Sequence, residues 1–239
     1  MIGAPELMKL GQALLPSLVS FAGDVIKQAG PAVGAYFKNL THSIQPKAGL
    51  SVVDCVNGVI TAANFAAQFL IGKPLDENPA DIGYKAVLAK KQDGRKMEDF
   101  PTRDDYVQYL REEVHVDQEQ MNKLSPVERV ACAVAGTVIY IKQMEEKVGM
   151  ILSPSLWGTM VDLKREKHVS DAFAPHVIAE MKSAGIKDGE ILSEYFAGNP
   201  HVSFEEAQKV FHSLKEAMRQ EYPDASEAEL NRKVSELKD

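Results

Sequence analysis

Cysteine and tryptophan are nearly missing from this chain. Its 239 residues hold two cysteines and one tryptophan, and aromatic residues make up only 7%. Disulfide-built secreted scaffolds need more cysteines at regular spacing. Cys55 and Cys132 sit in apolar stretches and read instead as two buried, reduced thiols acting as small hydrophobes. Positive charge is also scarce. Against 34 Asp and Glu stand 27 Lys and Arg, for a formal net charge of −7. Binding to phosphate backbones needs a basic face. The densest basic clusters are Lys90-Lys91 with Arg95-Lys96, and Lys164-Arg165 with Lys167. Both are interleaved with or followed by acids, and neither carries aromatic residues for base stacking. Nucleic acid is therefore not an expected partner. The opening Met1-Ile2-Gly3-Ala4-Pro5-Glu6 lacks a basic stretch followed by an apolar one, so it does not read as a conventional signal peptide.

Short catalytic signatures are missing as well. No phosphate-binding loop is present, since Gly72-Lys73 is followed by proline, and no Gly-x-Gly-x-x-Gly follows a strand. No serine sits in a Gly-x-Ser-x-Gly elbow. The six histidines His42, His115, His168, His176, His201 and His212 form no His-x-x-x-His pair, and a zinc or two-metal site needs three or four converging ligands. His115 and Glu119 are four apart, but Asp117 between them reads as a helix cap that breaks the shared face. Acid pairs such as Asp104-Asp105, Glu112-Glu113, Glu145-Glu146 and Glu205-Glu206 are ordinary on solvated helix faces, where adjacent residues do not face each other. The expectation is no catalytic residue, no cofactor and no metal.

What is present is apolar content and dense helix punctuation. Hydrophobic residues are 45% and charged residues 26%, as in ordinary globular chains. Ser125-Pro126-Val127-Glu128 is a capping box with proline at the first helical position, predicting a helix over 126–147 that stops at Gly149. Further starts lie at Ser51, Asn78-Pro79, Thr102 and Ser203, and at Asp224-Ala225-Ser226-Glu227. Pro175 and Gly185 bracket another helix. In the segment beginning at Ser203, Phe204, Ala207, Phe211, Leu214 and Met218 fall at steps of three and four and define one face. Leu230, Val234 and Leu237 do the same near the end. Period-two alternation is nearly absent. The fold class read from this pattern is all-α, an orthogonal bundle of about ten helices around a central apolar helix, 126–147.

The chain is uneven. Residues 1–72 carry seven charges, and composition shifts at Lys73-Pro74-Leu75-Asp76-Glu77-Asn78-Pro79. This divides the chain into an apolar, Ala- and Gly-rich region, 1–75, and a charged region, 76–239. The alternative is one continuous domain with the first third as its central layer. Within the apolar region, 55–72 has no formal charge, and 10–23 is uncharged but interrupted by Pro16. Along the helix opened at Ser51, Asp54, Asn57, Thr61, Asn64 and Gln68 follow steps of three and four, forming one polar stripe on an apolar helix. The stripe has three readings. It is the wet edge of a core helix, a seam with another chain, or the inward face of a membrane-inserted helix. The second candidate surface is the apolar run Met150, Ile151 and Leu152 beside Trp157, which reads either as a packing anchor between the two regions or as a partner hot spot, where its residue type is enriched. Trp157 lies in Ser153-Pro154-Ser155-Leu156-Trp157-Gly158.

One stretch resembles a known family. Asn199-Pro200-His201-Val202-Ser203-Phe204-Glu205-Glu206 resembles the second half of an EF-hand loop with the start of its exit helix, and Lys187-Asp188-Gly189-Glu190-Ile191 is similar to loop residues. The family's loop needs early acidic or amide ligands, glycine at the sixth position and glutamate at the twelfth. With Glu206 at the twelfth position, Tyr195, Ala197 and Asn199 fall at the first three ligand positions and Pro200 replaces the glycine. With Gly189 at the sixth, Ala184 and Ile186 fall at ligand positions and Tyr195 at the twelfth. Neither frame builds a calcium site, and membership is not inferred.

These observations favour a non-catalytic helical interaction or adaptor subunit of a larger assembly, cytoplasmic, with a protein partner or self-association. Two alternatives stand beside it. One is a membrane-active or exported protein, peripheral to or inserted in a bilayer, whose helices 10–23 and 52–71 contact lipid. The other is an enzyme whose site is assembled from residues distant in sequence. The candidate interface residues are Asp54, Asn57, Thr61, Asn64, Gln68, Met150, Ile151, Leu152 and Trp157.

Overall fold

Capping chemistry sets the helix boundaries. The computed structural model describes residues 35, 36, 39, 52–73 and 77–238, without the side chains of 52–56, 118, 126 and 127. Among them the chain is all-α. Ten helices run in order: α1 Val52–Ile71, α2 Pro79–Asp93, α3 Arg103–Glu112, α4 Gln118–Lys123, α5 Pro126–Val148, α6 Pro154–Lys167, α7 Phe173–Ser183, α8 Glu190–Phe196, α9 Phe204–Glu221 and α10 Glu227–Glu236. A single 3-10 turn, Met97–Asp99, precedes α3. No strand occurs among the described residues. One isolated parallel bridge joins Ile151 to Asp188. The Asn78 side chain accepts from the Ala80 N–H with Pro79 in the first turn, and Asp117 caps α4. Thr102, Ser203 and Ser226 each form a reciprocal capping box with the acid three residues later. The helix α6 is opened by Ser153 with Pro154 behind it and closed by His168 in the left-handed region (φ 56°).

The chain divides into two units: residues up to Ile60 with Pro74–Gln143, and Thr61–Lys73 with Met144–Asp239. Residues 10–23 lie outside the described residues, as does most of the apolar region 1–75.

In the first unit, α2 and α5 approach until their backbones touch. A Cβ on Gly83 would stand 1.9 Å from the Cys132 carbonyl oxygen, and one on Gly136 would stand 1.9 Å from the Pro79 carbonyl oxygen. Only glycine permits this crossing. Small buried residues extend the contact faces on both helices, Ala80 and Ala86 on α2 and Ala131 and Ala135 on α5. From Ala131 to Ile141, α5 is buried at every position except half-buried Ala133, as its all-round apolar sequence requires. Helix α3 adds Tyr106, Val107 and Leu110 to the core. A polar tie crosses this packing. Arg111 grips the Glu77 carboxylate with two nitrogens, at 2.6 and 2.8 Å, and the Tyr140 hydroxyl donates to the same carboxylate. Burial, and then the Glu77 bond, push the Tyr140 hydroxyl far above its ordinary range, so it stays a donor.

In the second unit, α7 lies along α9, α8 rests on α6, and α10 packs on α9. The core holds Leu152, Leu156, Trp157, Phe173, Val177, Ile178, Met181, Leu192, Val210, Leu214, Ala217, Leu230 and Val234. The 61–71 portion of α1 belongs here. Its Ala62, Ala63, Ala66 and Ala67 are buried, and Phe69 meets the His176 ring edge-on at 5.0 Å. The expected apolar face of α9 is corrected at its start. Phe204 is 79% exposed, because the buried face follows Val210, Ser213, Leu214, Ala217 and Met218.

Candidate surface cleft in the second unit

The sequence singled out two surfaces. On α1, Asn57 and Thr61 are exposed, while Asn64 and Gln68 are half-buried and the alanines opposite are buried. Asn57 and Thr61 already interact within the chain. The Asn64 side-chain oxygen is buried without a hydrogen-bond partner. The Asp54 side chain lies outside the described residues. Around Trp157 the placement is sharper. Met150, Leu152 and Trp157 are at most 2% exposed, whereas Ile151 is 54% exposed. A side chain inside the core offers nothing to a partner docking on the folded surface, so Ile151 alone of these four faces outward. No described helix is long and apolar enough to cross a membrane, 52–71 included.

The exposure of Ile151 has a local cause. Its backbone is held on both sides by the loop after α7. The Ile151 N–H donates to the Lys187 carbonyl at 2.9 Å, and the Gly189 N–H donates to the Ile151 carbonyl at 2.8 Å. A Cβ on Gly189 would meet the Ile151 oxygen at 3.0 Å and Leu156 at 3.2 Å. Glycine at 189 therefore lets the two segments pair and lets α8 begin at Glu190.

Beside this bridge lies a cleft of about 440 Å³, lined by Gly185, Ile186, Lys187, Asp188, Glu190, Ile191, Glu194, Glu206 and Lys209. That volume falls in the range of ligand-sized clefts, about 300–1,000 Å³. Three of its four carboxylates are positioned by neighbours. Asp188 accepts from the Glu190 N–H at 2.9 Å, Glu194 from the Asn199 amide at 3.3 Å, and Glu206 from the Ser203 N–H at 3.0 Å and its hydroxyl at 2.6 Å. The Ser203 bonds, hydroxyl first, hold the Glu206 carboxyl below its ordinary pKa, so it is charged. Among the described residues the Glu190 carboxylate has no partner. Of the two lysines, Lys209 is paired with Glu205 at 2.7 Å.

Sequence reading passed near this cleft without finding it. The two segments that resembled calcium-loop pieces, 187–191 and 199–206, supply most of its charged lining. Their acids spread along a wall instead of converging, and no group of three metal-capable side chains occurs among the described residues. The signal available in the sequence was the run of acids from 188 to 206. The signal not available was the pairing of Ile151 with a loop more than thirty residues away.

Among the described residues the cysteine thiol is sequestered; the Cys55 side chain lies outside them. The Cys132 thiol is buried, and burial first, then Glu128, push its pKa up to about 11. A thiol so disposed is a poor nucleophile near neutrality. A smaller hollow is bounded by Ala62, Met160, Lys164, Val169, Ser170, Asp171, Phe173 and Ala174, and it has about 10 Å³ of free space. That volume holds about one water.

No protein-family model, no curated protein and no solved structure matches this chain.

Proposed function

We propose that this chain is a non-catalytic helical interaction subunit that binds a partner protein through the second unit. The observation that carries the reading is the cleft with apolar groups at its rim and in its lining. Exposed Ile151 is bridged through its backbone to the lining residue Asp188, and Ile186 and Ile191 belong to the lining. Apolar side chains set among charged groups are the usual composition of a protein-binding patch. Among the described residues no packing covers the Ile151 side chain, which is 54% exposed.

The test places a photo-crosslinking phenylalanine analogue at position 151 or 191 of the full chain, in the cells that make it. The expected result is one defined adduct at both positions and none from the same analogue at Arg232. Combining the position-151 analogue with Ile191→Asp should diminish that adduct. Equal labelling at 151, 191 and 232, or no adduct at any of them, would overturn the reading.

A further inference from the structure

We infer that the cleft takes a basic segment of the partner, with lysine or arginine side chains set between apolar ones. The inference rests on the interaction reading above and specifies the chemistry of the occupant. Four carboxylates line the cleft against two ammonium groups. One of those ammoniums, on Lys209, already serves Glu205, which leaves Lys187 as the free opposing charge among the described residues. Three of the acids are pre-positioned by Ser203, Asn199 and the backbone at Glu190. Ordering them costs little on binding. The fourth, Glu190, is exposed and makes no ion pair among the described residues. Apolar groups stand among these acids: Ile186 and Ile191 in the lining itself, and exposed Ile151, bridged to Asp188. A complementary segment therefore mixes cationic and apolar side chains.

The surrounding field has the same sign. Residues 144–239 hold twelve Lys and Arg against eighteen Asp and Glu. Such a surface repels phosphate backbones and acidic peptides and steers cationic segments toward it.

The test uses the full chain and three fluorescein-labelled dodecapeptides of one pattern, with lysine, glutamate or glutamine between leucines, read by fluorescence anisotropy. The lysine peptide is expected to bind about tenfold or more tighter than the other two. Its affinity should fall several-fold between about 50 and about 500 mM salt, where the Debye length shrinks from roughly 14 to 4 Å. Glu190→Lys should cost about tenfold. Glu236→Lys makes the same charge change on α10, away from the cleft, and should leave affinity unchanged. Ile191→Ala should weaken binding, with all variants retaining the parent's helical circular dichroism. Equal binding of the lysine and glutamate peptides overturns the inference, as does equal loss from Glu190→Lys and Glu236→Lys, or no binding of the lysine peptide. If the photo-adduct at 151 still forms in those cases, the interaction reading survives with a different occupant. If it does not, both fall.

Discussion

At the scale of single residues, glycines separate the two kinds of position this fold uses. Gly83 and Gly136 sit where helix backbones touch, with carbonyl oxygens 1.9 Å from where a Cβ would stand. Gly83→Ala or Gly136→Ala must drive α2 and α5 apart, and each is expected to destabilise by about 3 kcal/mol or more, the upper end of overpacking costs. Gly158, inside α6, has nothing within 4 Å of its missing Cβ. Gly158→Ala is expected to stabilise by about 0.5–1 kcal/mol, because it only removes backbone freedom from the unfolded chain. Urea unfolding of the three variants checks both signs. Equal effects at 83 and 158 would contradict the close crossing. The same scale governs Cys132. A buried thiol with its pKa raised to about 11 should resist iodoacetamide at pH 8 in the folded chain and react in urea, as peptide mass spectrometry can read directly.

At the scale of elements, helix starts are held by reciprocal caps rather than by propensity. Ser203→Ala or Ser226→Ala removes the acceptor for an N3 amide and is expected to cost about 1 kcal/mol. Acid dependence follows from the same boxes. Ser203 holds the Glu206 carboxyl low through its hydroxyl and then its N–H, and Ser226 holds Glu229 low, chiefly through its backbone N–H. Glu227, bridging Lys215 and Arg219 from the start of α10, is held low mainly by the Lys215 bond. A carboxyl whose folded pKa lies below its unfolded value stabilises the fold above the unfolded pKa. That stabilisation is lost as pH falls through the folded one. The urea midpoint should therefore drop as pH falls below about 4.5. It should drop less steeply in a Glu206→Gln, Glu229→Gln, Glu227→Gln variant. An identical acid slope in that variant would show that other carboxyls control the transition.

At the scale of the whole molecule, the division of the chain makes a prediction about truncation. The compositional step at 73–79 invites removal of residues 1–72 as a separable piece. Residues 61–73, however, belong to the second unit, where Ala62 faces Met160, Phe173 and Ala174, and Phe69 meets His176. Deleting 1–72 should lower the unfolding midpoint of the second unit. Trp157, the only tryptophan and fully buried there, reports on that unit by fluorescence. An unchanged Trp157 midpoint would mean that 61–73 contributes nothing to that core.

The helical class, the caps at Asn78, Thr102, Ser125, Ser203 and Ser226, and the burial of α5 were all readable from sequence, because each depends on residues within a turn or two of one another. The same local information misplaced Phe204. A step-of-three pattern shows that a face exists but not which residues at its ends meet a neighbour. Trp157 is a core residue because α6 turns it inward, while Ile151 faces out because a loop more than thirty residues away fastens its backbone. By itself the sequence determined the all-α class, the helix starts at Asn78, Thr102, Ser125, Ser203 and Ser226, and the acidic sign of the net charge. Only the tertiary structure decided which apolar side chains are hidden, that α2 and α5 cross at two glycines, and that Asp188, Glu190, Glu194 and Glu206 line one wall. Those outcomes depend on contacts between segments far apart in the chain, and no local periodicity carries that information.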